Sequence, residues 1–293
     1  MIFCHEHLKL DLATKERPER KLDLYTEIAQ ELQTLKSLGV NKIMEVSNLG
    51  MGRDLAFIER LERETSIEVW MSTGFYKEPF LPAYFYTKTD AQLIQILCDE
   101  INLGMMYLDE SLPRSTRKAK IIGEFGSSHD YISPAEKRLF NICCEAHKQT
   151  QLPLVTHTTL ATMGLEQIEI FKSHNIDLSH CVLSHIDLCH DIKHILKILE
   201  SGVNIGFDTV GKENYQPDNI RLDYLEEIIK HGHIQQVMLS VDITNNSQLK
   251  AAGGIGYTYL IESFLPKVNA RFGADITTTL MLDNPTRIFN IGV

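Results

Sequence analysis

The chain has 293 residues, 43% hydrophobic and 23% charged, and a net charge of −10. That is the balance of a globular protein with a large core, and its acid excess argues against a nucleic-acid surface, which would carry a basic stripe; a local basic pocket stays open. Apolar runs break after a few residues, which excludes a membrane span. The six cysteines form no pair of CxxC motifs, which excludes a zinc ribbon and a disulfide framework.

The first residues, MIFCHEHLKL, show no basic stretch followed by a long apolar one, so no signal peptide is expected and the cytoplasm is the default compartment. From there β-rich runs alternate with helical segments to the far end. Strands are expected at 2–5, 42–46, 67–72, 120–124, 152–157, 182–185, 203–208 and 237–242, each a short apolar run suited to a parallel strand buried on both faces. Helices are expected at 24–38, 90–103, 134–149 and 224–230, where apolar residues recur at three and four, as in Leu24, Ile28, Leu32 and Leu35. Gly39, Gly202 and Gly232 stand where helices would end. Ser133-Pro134 followed by Glu136 reads as a helix start.

Strand–helix alternation repeated eight times predicts an α/β protein, a single (β/α)8 TIM barrel spanning 1–293, with an open doubly wound sheet as the structural alternative. The longer connections, at 73–88, 209–222 and 243–256, follow the third, seventh and eighth strands. They belong at the C-terminal mouth, where such barrels place their sites.

Unusual polar residues fall at the ends of those strands. His5 and His7 form a His-x-His pair on the first, and residues at i and i+2 share one face. Glu124 ends the fourth, His157 the fifth, His185 the sixth and Asp242 the eighth. A lone histidine is more often a structural residue than a ligand, and Glu124 or Asp242 alone could be an ion-pair or capping group. Six such residues at one end of five strands predict a shared site. Imidazole with carboxylate suits zinc first, with manganese, cobalt or iron as alternatives. Most other histidines fall in helices or at their ends, as solvated or capping groups.

This order of ligands resembles that of the amidohydrolase superfamily. The segments CHEHL, IIGEFGSS, THTTLATMGLEQ, SHIDL, IGFDTVGK and LSVDITNNSQLKAAGGIGYTYL are similar to those of the phosphotriesterase family, and the similarity reaches NPTRIF near the end. The resemblance implies two divalent metal ions: one held by His5, His7 and Asp242, a more exposed one by His157 and His185, and Glu124 bridging where many relatives carry a carboxylated lysine. It also implies hydrolysis of a small ester, a lactone or carboxylic ester first and phosphotriesters as a side activity. Metal-activated hydroxide would attack, with Asp242 shuttling the proton. Tyr76 matches a tyrosine lining the metal centre of lactonase relatives, and Asp208, Lys212 and Lys250 are candidate substrate contacts. Two departures weigh against a phosphorylated substrate and an acyl-homoserine lactone: Asn245 and Asn246 replace an arginine pair, and Thr209 stands where an arginine would.

The glycines of 253–256 lack the P-loop and Rossmann spacings and suggest a moving lid. The expected partner is a small-molecule substrate, with no nucleic acid and no membrane; a homodimer is implied by the resemblance alone. Two other functions fit the ligand order: a TatD-like metal-dependent deoxyribonuclease, and a metal-binding barrel without catalysis.

Overall fold

The computed structural model describes residues 1–108 and 113–290. Eight parallel strands lie side by side in sequence order: β1 (Ile2–Glu6), β2 (Lys42–Glu45), β3 (Glu68–Thr73), β4 (Ile121–Ser127), β5 (Leu154–Thr158), β6 (Cys181–Ser184), β7 (Asn204–Phe207) and β8 (Val237–Leu239). They form the expected (β/α)8 barrel. Around it run α1 (Tyr25–Ser37), α2 (Leu55–Thr65), α3 (Asp90–Asn102), α4 (Pro134–Thr150), α5 (Gly164–Ser173), α6 (Ile192–Glu200), α7 (Asp218–Lys230) and α8 (Leu265–Phe272). The start of α4 is a reciprocal cap, with Ser133 Oγ accepting from the Glu136 amide at 3.1 Å and the Glu136 carboxylate from the Ser133 amide at 2.9 Å.

Apolar side chains sort into two cores. The larger lies between the strands and the helices and includes Phe3, Ile43, Phe125, Leu183 and Phe207. The smaller joins Ile2, Met44, Ile121, Val182 and Met238 across the strands, with Ile288 and Phe289 of the C-terminal segment packed against them. Among the described residues, no helix is long and apolar enough to cross a membrane. All six cysteines are free thiols, and only Cys189 is not buried.

The seam between β1 and β8 is drawn together by side chains. Cys4 Sγ donates to the Leu239 carbonyl at 3.3 Å, and the His5 amide donates to Ser240 Oγ at 3.1 Å. The fully buried Glu6 carboxylate accepts from the amides of Val241 (2.8 Å) and Ile243 (3.2 Å). Burial pushes the Glu6 carboxyl up to about 8. This clasp also explains why β8 ends three residues short of Asp242: the amides beyond Leu239 turn towards Glu6, and Asp242 itself has a φ of 56°. Similarly β6 stops before His185, whose φ is 63°. Both are left-handed conformations that a side-chain-bearing residue adopts at a cost of about 1–3 kcal/mol, held by their surroundings.

Other connections also differ from expectation. Helix α7 begins at Asp218, well before residue 224, because the buried Arg221 holds its first turn to the connection after β6: Nε lies 2.7 Å from Asp187 and Nη1 3.0 Å from Asp218. The glycine-bearing stretch after β8 is pinned, which corrects the lid reading: the Glu31 carboxylate of α1 accepts from the Lys250 amide (2.7 Å) and the Tyr257 amide (2.8 Å). Gly254 packs so closely that a Cβ there would lie 2.2 Å from the Gln248 backbone. A short antiparallel ribbon after β1, Leu10–Asp11 with Lys21–Leu22, had no sequence signal, since two-residue strands show no periodicity.

Glu6→Ala should lower the unfolding free energy by about 2–4 kcal/mol, because two buried amides lose their acceptor together. Glu6→Gln should cost less, since one acceptor oxygen survives; urea unfolding at fixed pH measures both.

Candidate metal centre

Two irregularities in the barrel aim its polar side chains. Between Phe3 and Glu6, β1 carries one residue more than its partner β2, and β4 does the same against β5 between Ile122 and Phe125. Such bulges redirect a side chain without ending the strand. His5 lies inside the first and Glu124 inside the second. Gly126 completes the arrangement, because a Cβ there would lie 2.5 Å from His157 Cβ and would push β5 away.

All six expected ligands converge. Glu124, His157 and His185 form one cluster, and His5, His7 and Glu124 a second, each with its donor atoms within 4.8 Å of one another. Glu124 belongs to both. His5 Nε2 is 3.7 Å from Glu124 Oε1 and 3.6 Å from Asp242 Oδ1; His7 Nε2 is 3.7 Å from Glu124 Oε2 and 3.4 Å from Asp242 Oδ1. The gaps of 3.6–3.7 Å are too long for hydrogen bonds, and the 3.4 Å one is at best a weak one. They match donor atoms sharing one ion, since ligands about 2.1 Å from a tetrahedral zinc stand about 3.4 Å apart. His5 Nε2 is buried and has no hydrogen-bond partner, as expected of a lone pair reserved for an ion. The outer cluster is tighter: Glu124 Oε1 lies 2.7 Å from His157 Nδ1 and 3.1 Å from His185 Nε2, and the two histidine nitrogens are 3.0 Å apart. It must open by a few tenths of an ångström to hold an ion. The residues fit a pair of divalent cations.

Electrostatics keeps most of the donors in a ligating state. Burial alone would raise the Glu124 carboxyl, but the adjoining His157 and His5 hold it well below the carboxylate range. Asp242 is also held down, burial being outweighed by the Lys212 ammonium on its Oδ2 and by the imidazoles. Burial lowers His5 and takes His157 down to about 4, leaving both rings neutral. His185 is raised despite its burial, because Asp208 stabilises its charge, so it must release a proton on taking an ion.

A supporting layer orients the rings. His5 Nδ1 meets Ser184 Oγ at 2.9 Å, His7 Nδ1 meets Ser47 Oγ at 2.8 Å, and His185 Nδ1 meets Asp208 Oδ1 at 2.8 Å. In each case the outward contact takes Nδ1 and turns Nε2 to the centre. Sequence reasoning did not single out Ser47 or Ser184. A serine has no ligand signature, although Ser184 immediately precedes a candidate ligand.

The other expected residues separate into three groups. Tyr76 stands where anticipated, its hydroxyl 3.4 Å from His157 Nδ1, and burial raises that hydroxyl well above its usual range. Lys212 lines the mouth and pairs with Asp242. Asp208 lies beneath the imidazoles, fully buried and outside the cavity lining, where it also accepts from the His185 amide at 2.8 Å. It orients histidines and does not face the mouth. Lys250 points away, its ammonium 2.6 Å from Glu262, because Glu31 anchors its backbone on the outer side. Above the centre lies a cavity of about 480 Å³, walled by residues of every long connection and by Arg17, Arg20 and Lys77, which the sequence reading did not select.

The chain matches the phosphotriesterase family over residues 1–289. It is 38% identical to the phosphotriesterase homology protein of Escherichia coli over 98% of this chain and 97% of that protein. The crystal structure of that protein, complexed with phosphate in its active site, superposes with a TM-score of 0.92 at 37% identity, covering 98% of both chains. The N-acetyltaurine hydrolase of Dictyostelium discoideum is 30% identical over 89% of this chain and 72% of that one.

Metal analysis of purified, dialysed variants should separate the two clusters. His157→Ala should lose the outer ion and keep the inner one, whereas Glu124→Ala should weaken both, since its carboxylate alone serves each cluster. Lys250→Ala should leave KM unchanged for any substrate.

Proposed function

The chain belongs to the phosphotriesterase family of metal-dependent hydrolases, and from that premise we propose that it cleaves a small carboxylic ester or lactone at a centre of two zinc ions. The observation that carries this reading is the shared carboxylate of Glu124, flanked by two imidazoles on each side. His5, His7 and Asp242 would hold the inner ion, His157 and His185 the outer one, and Glu124 would join them. When bound, the pair supplies Lewis-acid polarisation of the carbonyl and a water acidic enough to ionise near neutral pH.

The rest of the chemistry belongs to the chain. Asp242 is ionised and stands at the edge of the cavity with one oxygen towards the histidines and the other on Lys212. It is placed to accept a proton from the attacking water and deliver it to the leaving oxygen. Lys212 holds the carboxylate in that orientation. Tyr76, its hydroxyl still protonated at neutral pH, presents a hydrogen-bond donor beside His157, on the side where a substrate carbonyl would enter. The apolar side chains of Leu10, Leu12, Phe80, Leu160 and Leu188 line the same cavity and limit water around the reacting bond.

A second reading is amide cleavage, favoured by the 30% identity to the Dictyostelium discoideum hydrolase of an acylated amine. The same residues serve it, with Asp242 delivering the proton to a leaving nitrogen. Zinc-reconstituted protein screened against matched lactones, esters and amides decides between them: ester or lactone turnover is expected, amide turnover alone would replace the first reading, and no turnover on the whole panel would end both.

Asp242→Asn should lower kcat by about 10²–10⁴-fold, the range of a lost general base, while keeping most of the metal. Wild-type kcat in that variant, with metal content measured on the same sample, would remove Asp242 from the proton path.

A further inference from the structure

The cavity wall is electropositive although the protein is acidic. Among its lining residues are Arg17, Arg20, Lys77 and Lys212, against Glu19 and Asp242. Two of these cations are already engaged. Lys212 is bonded to Asp242, and Arg17 lies 3.6 Å from Glu19 on the exposed rim. Arg20 and Lys77 are different. Neither forms an ion pair with a carboxylate among the described residues: Arg20 is exposed to solvent at the mouth, and the half-buried Lys77 ammonium has the Glu78 carbonyl at 3.3 Å and the Tyr76 ring. A half-buried ammonium with no carboxylate directly paired to it, only Glu136 and Glu124 acting from further off, gains from a ligand that supplies an anion.

Their positions define a distance class. Lys77 follows Tyr76, whose hydroxyl touches His157, and its ammonium sits over the Tyr76 ring at 5.6 Å from the centroid. Arg20 comes from the ribbon after β1, and its charge acts on both the Tyr76 hydroxyl and the Lys77 ammonium. The Lys77 ammonium therefore stands one side chain away from the outer cluster, and Arg20 lines the same cavity. The connection after β8 offers none: its Lys250 is spent on Glu262. Phe80 and Leu160 supply apolar wall in the same cavity. At about 480 Å³ it suits a small ligand.

We propose that the substrate carries a permanent anion, a carboxylate, sulfonate or phosphate monoester, a few bonds from the cleaved carbonyl, and that Arg20 and Lys77 seat it. This rests on the hydrolase reading for the cleaved bond but not for the anion site. Arginine provides the planar fork that such oxyanions accept, and lysine a compact second charge. Binding steered by these charges weakens as salt rises.

The test uses metal-loaded full-length protein and substrate sets identical except at one position, which bears a sulfonate, a carboxylate, a phosphate monoester or a neutral hydroxyl. Wild type should prefer at least one anionic member over the neutral one in kcat/KM, and the preferred member identifies the headgroup. In Arg20→Gln, Lys77→Gln and the double variant, that preference should fall by about ten- to a hundredfold, the worth of a charged hydrogen bond. Equal cleavage of neutral and anionic members by wild type, or a preference that survives in the double variant, overturns the proposal. If no member is cleaved, the hydrolase reading fails on this panel, and calorimetric titration with ethanesulfonate tests the site alone. Binding to wild type that is lost in the double variant upholds the anion site; no binding to wild type overturns it.

Discussion

One buried carboxylate organises this protein. Glu124 is almost inaccessible to solvent, yet it stays ionised because His157, His185, His5 and His7 surround it. Burying such a charge without partners would be prohibitive, so the barrel must bring its strand ends to this point for Glu124 to exist as an anion at all. Its Oε1 lies towards His157 and His185 and also 3.7 Å from His5 Nε2, while Oε2 lies towards His7. A single side chain would thereby join two ion positions. A glutamate would do this directly, with no covalent modification.

The centre depends on residues that never face a substrate. Ser47, Ser184 and Asp208 hold the outward nitrogens of three histidines, which orients the rings and turns each Nε2 to the centre. Asp208 draws on a further network: Asp187 lies between the Thr209 hydroxyl and the buried Arg221, tying together the connections after β6 and β7. On the opposite side Glu6 fastens the beginning of the barrel to its end, directly below Asp242. Left-handed backbone at His185 and Asp242 is maintained by these contacts. Rigid support of this kind keeps reacting groups within the tolerance that hydrolysis requires.

Above the rigid centre the walls follow a different logic. They come from connections whose lengths and side chains vary independently of the strands: the ribbon after β1, the Tyr76–Phe80 segment and the stretch after β8. Their cations are distributed unevenly. Those on the β7 side are consumed by the centre and those on the β8 side by the outer surface, which leaves Arg20 and Lys77, on the β1 and β3 sides, without a paired carboxylate among the described residues. An acidic protein with a basic pocket keeps its surface repulsive to unrelated anions and concentrates attraction at the mouth.

Much of this was legible before any coordinates. Buried parallel strands appear as short apolar runs and helices as stripes of period near four, so all eight strands were located to within a few residues; the order of His5, His7, Glu124, His157, His185 and Asp242 at strand ends marked the side chains that converge at the barrel mouth. Those signals are local, because a strand's polarity pattern is written in consecutive residues. What the linear chain does not encode is which side of the barrel end a polar residue takes. Asp208 and Lys250 carry the same chemistry as true mouth residues, but one is turned beneath the imidazoles by its bond to His185 and the other is drawn outward by Glu31 and Glu262, partners 12 to 219 positions distant. Arg20 and Lys77 lie 57 positions apart, in segments without periodicity, and only the side-by-side packing of β1, β2 and β3 brings them to one cavity. Strand identity and ligand order follow from nearest-neighbour chemistry; cavity, charge balance and side-chain direction arise from contacts that exist only when the ends of the chain meet.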